Sequence, residues 1–297
     1  MNLKHATTSG ELTKENLNFY RDYGFLIAKN VISDEKISLL QDEATAIVSG
    51  ERGQVQGALE NIADLAEEDI LKKYVAIHFP HKISSVIKNI AAHKRIAKYL
   101  SQLVSPNIKC LQTMLFIKAP GKKGQSWHQD EFFIPTRDRS LTGVWLALER
   151  ADEENGCLWV VPGSHKDGII RKRVPNENNE FADTETLNLE PYTEKDLIKV
   201  EVDAGSIIIF NGYLFHMSLS NRSKTRFRRA LVSHYSSAES MLPWDQDGRQ
   251  ETTQDFRDIF MVAGTDPYAH KGIADLSKPF VRPDVLDFNT DEGKRKS

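Results

Sequence analysis

The sequence predicts an α+β fold in which helices precede an antiparallel β core. Helical periodicity dominates roughly residues 10–105. Short segments rich in Val, Ile, Leu and aromatic residues, separated by Gly, Pro, Asn and Asp, dominate roughly residues 108–236. Helices followed by many strands without intervening helices are typical of an antiparallel sheet. A double-sheet jelly roll or a cupin-like barrel is therefore the natural candidate for the core.

The N-terminal part contains three predicted helices. A short helix ends at Gly24 and is followed by a strand, FLIAKNV. The segment DEKISLLQDEATAIV forms the second helix, with Ser33 as its N-cap and two acidic residues in its first turn. A third helix is predicted over roughly 82–104, where apolar residues recur at helical spacing up to the residues before Pro106.

Five apolar segments then predict the strands of the core: IKCLQTMLFIKAP, LTGVWLAL, CLWVVPG, LIKVEVDAGSIIIF and RRALVSHY. Between them, residues from about 165 to 195 form a loop that is too long for a plain connector. Loops of this length are typically lids, binding loops or disordered segments. We expect this loop to close over the site, with Arg171 and Arg173 as candidate contacts for an anionic substrate group.

Composition places the chain among ordinary globular proteins. It has 297 residues with 40% hydrophobic and 27% charged residues, so we expect one domain over 1–297 with a C-terminal extension from about 237. The net charge of −3 gives no reason to expect a nucleic acid partner. No apolar run approaches the ~18 residues of a membrane span. The two cysteines, Cys110 and Cys157, are too few for a disulfide framework, which favours a cytoplasmic location.

The segment SWHQDEFF carries two potential metal ligands, His128 and Asp130, on either side of Gln129. In a strand these two residues would project to the same face, and Gln129 would point away. The best third ligand is His216, at the end of an apolar strand. Two histidines and one carboxylate form the ligand set of non-haem Fe(II) oxygenases. An ordinary hydrogen-bonded His–Asp pair is the alternative, since the chain has nine histidines.

A basic segment, KTRFRR, follows a polar turn after His216. We expect its strand to run back beside the strand that ends in His216, with Arg226 and Arg228 on one face and Arg229 on the other. An arginine that points into an apolar barrel needs an anionic partner. A dicarboxylate cosubstrate would supply one, because a carboxylate matches the guanidinium group in geometry. The alternative is a solvated basic strand end.

Three segments, taken in their order along the chain, resemble the phytanoyl-CoA dioxygenase family of Fe(II)/2-oxoglutarate oxygenases over about 110–235. They are WHQDEFF, GVWLALERADEENGCLWVVPGSHKDG and AGSIIIFNGYLFHMSLSNRSKTRFRRALVSHY. The resemblance implies a double-stranded β-helix core with flanking N-terminal helices. It implies that His128, Asp130 and His216 bind iron. It also implies that Arg228 binds the distal carboxylate of 2-oxoglutarate. Further cosubstrate contacts implied in the same way are Trp145, Ser218, Met114, Gln112 and Lys82.

The reaction implied by the resemblance uses Fe(II), 2-oxoglutarate and O2 to hydroxylate an aliphatic C–H bond and releases succinate and CO2. A small metabolite is the expected substrate. Candidate substrate contacts besides those in the long loop are Trp127, Glu131, Phe133, Arg137, Arg139, Lys172 and Trp244. Alternatives are a hydroxylase of acyl thioesters, a halogenase of the same fold, a cupin-like metal protein without 2-oxoglutarate, and a non-catalytic binding module. Asp130 argues against the halogenase, which needs a small residue at that position.

Overall fold

The computed structural model describes residues 3–53, 55–59, 64–240, 259–273 and 277–284. Its helices are α1 Lys14–Tyr23, α2 Asp34–Val48, α3 Glu67–Lys72, α4 Ser85–Ala91, α5 Lys94–Leu103 and α6 Asp130–Phe133. Its first strands are β1 Thr7–Thr8, β2 Phe25–Ala28, β3 Tyr74–His78, β4 Ile108–Lys118, β5 Gln125–His128, β6 Thr142–Ala147, β7 Leu158–Val160 and β8 Arg173–Pro175. The remaining strands are β9 Glu185–Leu187, β10 Ile198–Val200, β11 Ile207–Asn211, β12 His216–Ser218, β13 Arg228–Ser237, β14 Phe260–Ala263 and β15 Phe280–Pro283.

The strands form a jelly roll of two sheets, and this confirms the predicted fold class. The large sheet has the order β1-β2-β11-β6-β13-β4-β3-β15, with β14 also paired to β4. The small sheet has the order β10-β7-β12-β5. Pairing within both sheets is antiparallel except between β1 and β2. Side chains from both sheets line one cavity between them.

The first two predicted helices are confirmed. Thr13 and Asn16 form a capping box at the start of α1, and Gly24 ends the helix with φ +82°. Ser33 does precede α2, but its side chain makes no capping hydrogen bond. Residues of α1 and α2 pack with β2 and β11 in the main apolar core, so both helices cover one face of the large sheet.

The prediction of one continuous helix over roughly 82–104 is wrong. The chain forms a 3-10 turn at Pro80–Lys82, then α4, and then α5 after a break at Ala92 and His93. His93 is extended, with φ −60° and ψ 134°, and serves as the N-cap residue of α5. Apolar residues on both sides of the break are buried in the same core, so their helical spacing continues across it and conceals it.

Two predictions about the placement of strands are also wrong. His216 does not end the apolar strand β11, because β11 stops at Asn211 and His216 begins β12 in the other sheet. The strand of Arg228, β13, does not run beside β12. It pairs with β4 and β6 in the large sheet, so Arg228 and His216 line the cavity from different sheets.

The long loop carries structure of its own. β8 and β9 form an antiparallel hairpin within it. Gly124 bridges to Phe181, and the Ser126 hydroxyl donates to the Glu185 carbonyl at 2.6 Å, so the loop packs along β5. The loop is thus more than a connector, as its length predicts.

No helix within the described ranges is long and apolar enough to cross a lipid bilayer.

Gly205 joins the turn before β11 to the segment after β2. It has φ +76°, its carbonyl accepts from the Val31 and Ile32 amides, and a Cβ atom there would lie 2.3 Å from the Ile32 carbonyl oxygen. We expect Gly205→Ala to lower the free energy of unfolding by about 1–3 kcal/mol, measured by urea denaturation. The control is Gly10→Ala, where a Cβ meets no atom within 4 Å. Equal stability of the two variants would contradict this account.

Candidate active site

Three buried side chains converge at one end of the cavity. His128 and His216 are register partners on β5 and β12, with ring centroids 4.1 Å apart. The Asp130 Oδ1 atom lies 3.7 Å from His128 Nε2 and 3.6 Å from His216 Nε2. The potential ligand atoms of the three residues all lie within 4.8 Å of one another, an arrangement that fits one metal ion.

The residues meet for a different reason from the predicted one. β5 ends at His128, and Asp130 is the first residue of the short helix α6. The change from strand to helix, rather than strand alternation, therefore turns the carboxylate toward the histidines. The Glu131 amide donates to the Gly212 carbonyl at 3.0 Å and fixes the start of this helix beside the segment that leads to β12.

Hydrogen bonds orient both imidazole rings for metal binding. His128 Nδ1 lies 2.7 Å from the Ser126 carbonyl oxygen, and His216 Nδ1 lies 3.0 Å from the Leu214 carbonyl oxygen. A carbonyl accepts only from an N–H, so each Nδ1 carries a proton, and in the neutral ring Nε2 keeps its lone pair. Burial, with His216 as the second cause, lowers the pKa of His128 to about 3, which keeps the ring neutral.

His234, which sequence reasoning missed, holds the carboxylate. Its Nε2 lies 2.8 Å from Asp130 Oδ2, and its Nδ1 lies 3.2 Å from Gln112 Nε2. Burial alone would raise the pKa of Asp130, but His234 and His216 beside it hold that pKa below its usual range. The signal was present in the sequence, since His234 lies six residues after Arg228 on β13 and both residues line the cavity.

Gln112 lies beside His234 and Met114, on the face that it was predicted to share with Met114, and its contact with the cosubstrate stays a prediction. It is not among the described residues that line the cavity, and it lies behind His234, with its Nε2 3.7 Å from Met114 Sδ. A Gln112 N–H that donates to His234 Nδ1 leaves the His234 proton on Nε2, directed at Asp130. The side chain acts on the ligand through this chain of hydrogen bonds.

Arg228 lies across the cavity from the three ligands and is 5% exposed. Its Cζ lies 5.6 Å from the Trp145 ring centre. Among the described residues its guanidinium has no hydrogen-bond partner, and its Nε is fully buried. Burial lowers the pKa of Arg228 to about 10, so the group is charged at neutral pH. A buried guanidinium without a partner is costly, and the carboxylate of a bound dicarboxylate would satisfy it.

The prediction that Arg226 and Arg228 share a face is wrong. Arg226 precedes β13 and forms an ion pair with Asp152, with both N–O distances 2.9 Å, and a third contact to Glu154 at 2.6 Å. Arg229 pairs with Glu149. Only Arg228 of the three points into the cavity.

The other predicted cosubstrate residues divide into two groups. Trp145, Ser218 and Met114 line the cavity. Lys82 is not among the described lining residues, and its ammonium group donates to the Ser277 carbonyl. Lys118, which sequence reasoning missed, lines the cavity instead.

Basic residues surround the rest of the cavity. Lys122, Lys123 and Arg282 line it, together with Asp183 from the long loop. The predicted substrate contacts that are absent from the described lining are Trp127, Glu131, Phe133, Arg137, Arg139, Arg171, Lys172 and Arg173. Trp127 packs in an apolar cluster with Val161 and Met217. Trp244 lies outside the described residues.

Gln129 anchors the long loop to the metal ligands. The side chain is 1% exposed. Its Nε2 donates to the Ile169 and Tyr213 carbonyls at 3.0 Å each, and its Oε1 accepts from the Arg171 amide at 2.8 Å. One amide group between His128 and Asp130 therefore joins three segments of the chain.

The fold and this site define a 2-oxoglutarate-dependent non-haem iron oxygenase, with iron and 2-oxoglutarate as its cofactor and cosubstrate. Two solved structures of similar fold are the α-ketoglutarate-dependent carbocyclase SnoK from nogalamycin biosynthesis and EvdO2 from Micromonospora carbonacea var. aurantiaca complexed with 2-oxoglutarate. The SnoK structure has a TM-score of 0.60 and 21% identity, covering 81% of this chain and 90% of SnoK. The EvdO2 structure has a TM-score of 0.58 and 18% identity, covering 82% of this chain and 97% of EvdO2.

The chain belongs to the phytanoyl-CoA dioxygenase (PhyH) family, whose sequence pattern matches residues 20–230. Phytanoyl-CoA dioxygenase 1 of Oryza sativa subsp. japonica is 31% identical over 255 residues, which cover 76% of this chain and 89% of that protein. The peroxisomal phytanoyl-CoA dioxygenase of Rattus norvegicus is 29% identical over 245 residues, which cover 80% of this chain and 72% of that protein.

We expect His234→Ala to weaken Fe(II) binding by roughly 10–100-fold, because the residues that orient a metal ligand commonly contribute that much to affinity. Anaerobic titration with Fe(II) measures the affinity, and circular dichroism checks the fold. The matched control is His93→Ala, which removes a histidine at the junction of α4 and α5 and should leave iron binding unchanged. If the His234 variant binds Fe(II) as tightly as the wild type, the hydrogen bond from His234 to Asp130 does not contribute to metal binding.

Proposed function

We propose that this enzyme hydroxylates an aliphatic C–H bond of a small anionic metabolite. The main support for the proposal is that one cavity holds both the three potential ligands and the guanidinium of Arg228, which has no hydrogen-bond partner among the described residues. His128, Asp130 and His216 would hold Fe(II). Arg228 and Ser218 would hold the distal carboxylate of 2-oxoglutarate, with Trp145 and Met114 against the cosubstrate. When bound, iron would activate O2, and 2-oxoglutarate would supply two electrons as it is converted to succinate and CO2.

The protein's own contribution is orientation, charge and exclusion of water. The Nδ1–H groups of the two histidines fix their rings, and His234 fixes the carboxylate. Asp130 stays ionised and His128 stays neutral, so both are ready to bind a metal ion without proton release. Because the ligands and Arg228 are buried, their interactions with bound groups are stronger than they would be in water.

The charge around the cavity supports an anionic substrate. Among the described lining residues, Lys122, Lys123 and Arg282 stand against one carboxylate, Asp183, besides the proposed ligand Asp130. Lys122 also forms an ion pair with Asp284. Carboxylates and phosphates are the groups that such a basic lining attracts. The same charge favours a second candidate, a coenzyme A thioester, which agrees with the names of the relatives.

Succinate formation from 2-oxoglutarate, with and without Fe(II), tests the proposal. The assay compares free carboxylate and phosphate metabolites with acyl-coenzyme A thioesters, and mass spectrometry detects a product heavier by one oxygen atom. Turnover stimulated only by thioesters would select the second candidate. Activity that does not depend on iron would refute the proposed function. Absence of activity with every substrate, together with absence of 2-oxoglutarate binding, would also refute it. Chlorination of a substrate in the presence of chloride would favour the halogenase instead.

The single-domain organisation predicted for residues 1–297 and the cytoplasmic location stay predictions. We propose that the helices and both sheets act as one catalytic unit. Helix and strand residues share one apolar core, which supports this proposal.

We expect Arg228→Met to raise the Kd for 2-oxoglutarate by roughly 30-fold to several thousand-fold, since removal of one partner of a buried charged pair costs about 2–5 kcal/mol. Isothermal titration calorimetry on the anaerobic Fe(II) enzyme gives the Kd. Arg226→Met is the matched control, because Arg226 is occupied by Asp152 and Glu154 outside the cavity. A larger effect of the Arg226 variant would refute the role of Arg228.

A further inference from the structure

Lys118 brings a second buried cation to the arginine end of the cavity. It is the last residue of β4 and the register partner of Arg228 on β13. The side chain is 6% exposed and lines the cavity together with Ser218. Its ammonium group donates to Ser218 Oγ at 2.8 Å and to the Leu219 carbonyl at 2.6 Å. The ammonium group is thus held in a defined position beside the guanidinium.

The surrounding backbone leaves room for this ammonium group. Gly156 has φ +83°, and a Cβ atom there would lie 2.4 Å from the Leu219 carbonyl oxygen and 3.2 Å from Lys118 Nζ. Glycine is required at this close approach both by the backbone angle and by the space. The turn that carries Gly156 therefore helps to form the position that Lys118 occupies.

Within the described residues, no carboxylate is paired directly with Lys118, and the charge of Asp183 in the same cavity only partly offsets the effect of burial on its pKa. The hydrogen-bond contacts of the ammonium group are a hydroxyl and a carbonyl. Burial lowers the pKa of Lys118 well below its usual range, and the neighbouring charge of Arg228 lowers it further. Two adjacent buried cations disfavour each other, so an anion that contacts both is stabilised there.

We propose that Lys118 is a second cationic residue of the subsite that binds the distal carboxylate of 2-oxoglutarate. An ammonium group has three N–H donors, and two of them are used by Ser218 and Leu219, so one is left for a ligand. Because Ser218 Oγ accepts from Lys118, the hydroxyl proton is free to be donated to the same carboxylate. Lys118 thus contacts the ligand and also orients Ser218. This inference rests on the proposed function, since it places 2-oxoglutarate at Arg228.

The test compares two ligands that differ only in the distal carboxylate. The Kd values of 2-oxoglutarate and of 2-oxopentanoate, which ends in a methyl group, are measured by calorimetry on the anaerobic Fe(II) enzyme. We expect Lys118→Met to raise the Kd of 2-oxoglutarate by roughly 10–100-fold, as for loss of a charged hydrogen bond. The Kd of 2-oxopentanoate should stay within about twofold. The stabilisation of the folded protein by 2-oxoglutarate should fall in parallel, which thermal unfolding measures independently of activity.

Lys109→Met is the matched control, because Lys109 is a fully buried lysine at the other end of the same strand and is absent from the described cavity lining. It should leave both Kd values unchanged. If Lys118→Met does not fold, Lys118→Gln tests the same charge with a hydrogen-bonding side chain. A Kd of 2-oxoglutarate unchanged by Lys118→Met, or equal weakening of both ligands, overturns the inference. If Arg228→Met also leaves the Kd of 2-oxoglutarate unchanged, the proposed function fails, whereas an effect at Arg228 alone rejects only the role of Lys118.

Discussion

The site depends on the burial of one carboxylate, Asp130. A carboxylate removed from water is unfavourable unless several polar groups surround it. His234 donates to one of its oxygen atoms, and the two potential ligand histidines stand beside the other. These histidines belong to the small sheet, whereas His234 belongs to the large sheet. The requirement to stabilise one charge therefore brings together side chains from both layers of the jelly roll.

The cavity is electrically asymmetric as a result. One end presents a carboxylate and two imidazole lone pairs, which suit a divalent cation. The other end presents a guanidinium and an ammonium group, which suit an anion. A dicarboxylate with a 2-oxo group matches this arrangement, because one end can chelate a metal ion while the other meets the cations. The polarity of the cavity thus explains why a cosubstrate of this shape suits the fold.

The sequence predicted those features of the fold that depend on interactions between residues close together in the chain. α1 follows from its capping residues, and α2 follows from its apolar spacing. The break at His93 could not be predicted from the sequence, because the residues that face the core keep the same spacing on both sides of it. The residue types identified the three potential ligands, although the strand assigned to His216 and the reason for the direction of Asp130 were wrong. The roles of His234 and Lys118 depend on β13 lying between β4 and β6, and that strand order is a property of the whole chain.

The long loop has two parts, and each is hydrogen-bonded to the chain around His128, the first by the amide group of Gln129 and the second by Ser126. Residues up to Arg171 are joined through this amide to the chain between His128 and Asp130, so a change of length there would strain the metal site itself. The hairpin of β8 and β9 lies beyond Arg171, and the segment between its two strands supplies Ala182 and Asp183 to the cavity. The hairpin is tied to the metal site as well, since Ser126 bonds to Asp183 and Glu185 while its carbonyl accepts from His128 Nδ1. A change of residue or length in either part of the loop would therefore shift a potential metal ligand, so the lining of the substrate space and the orientation of the iron ligands cannot vary independently.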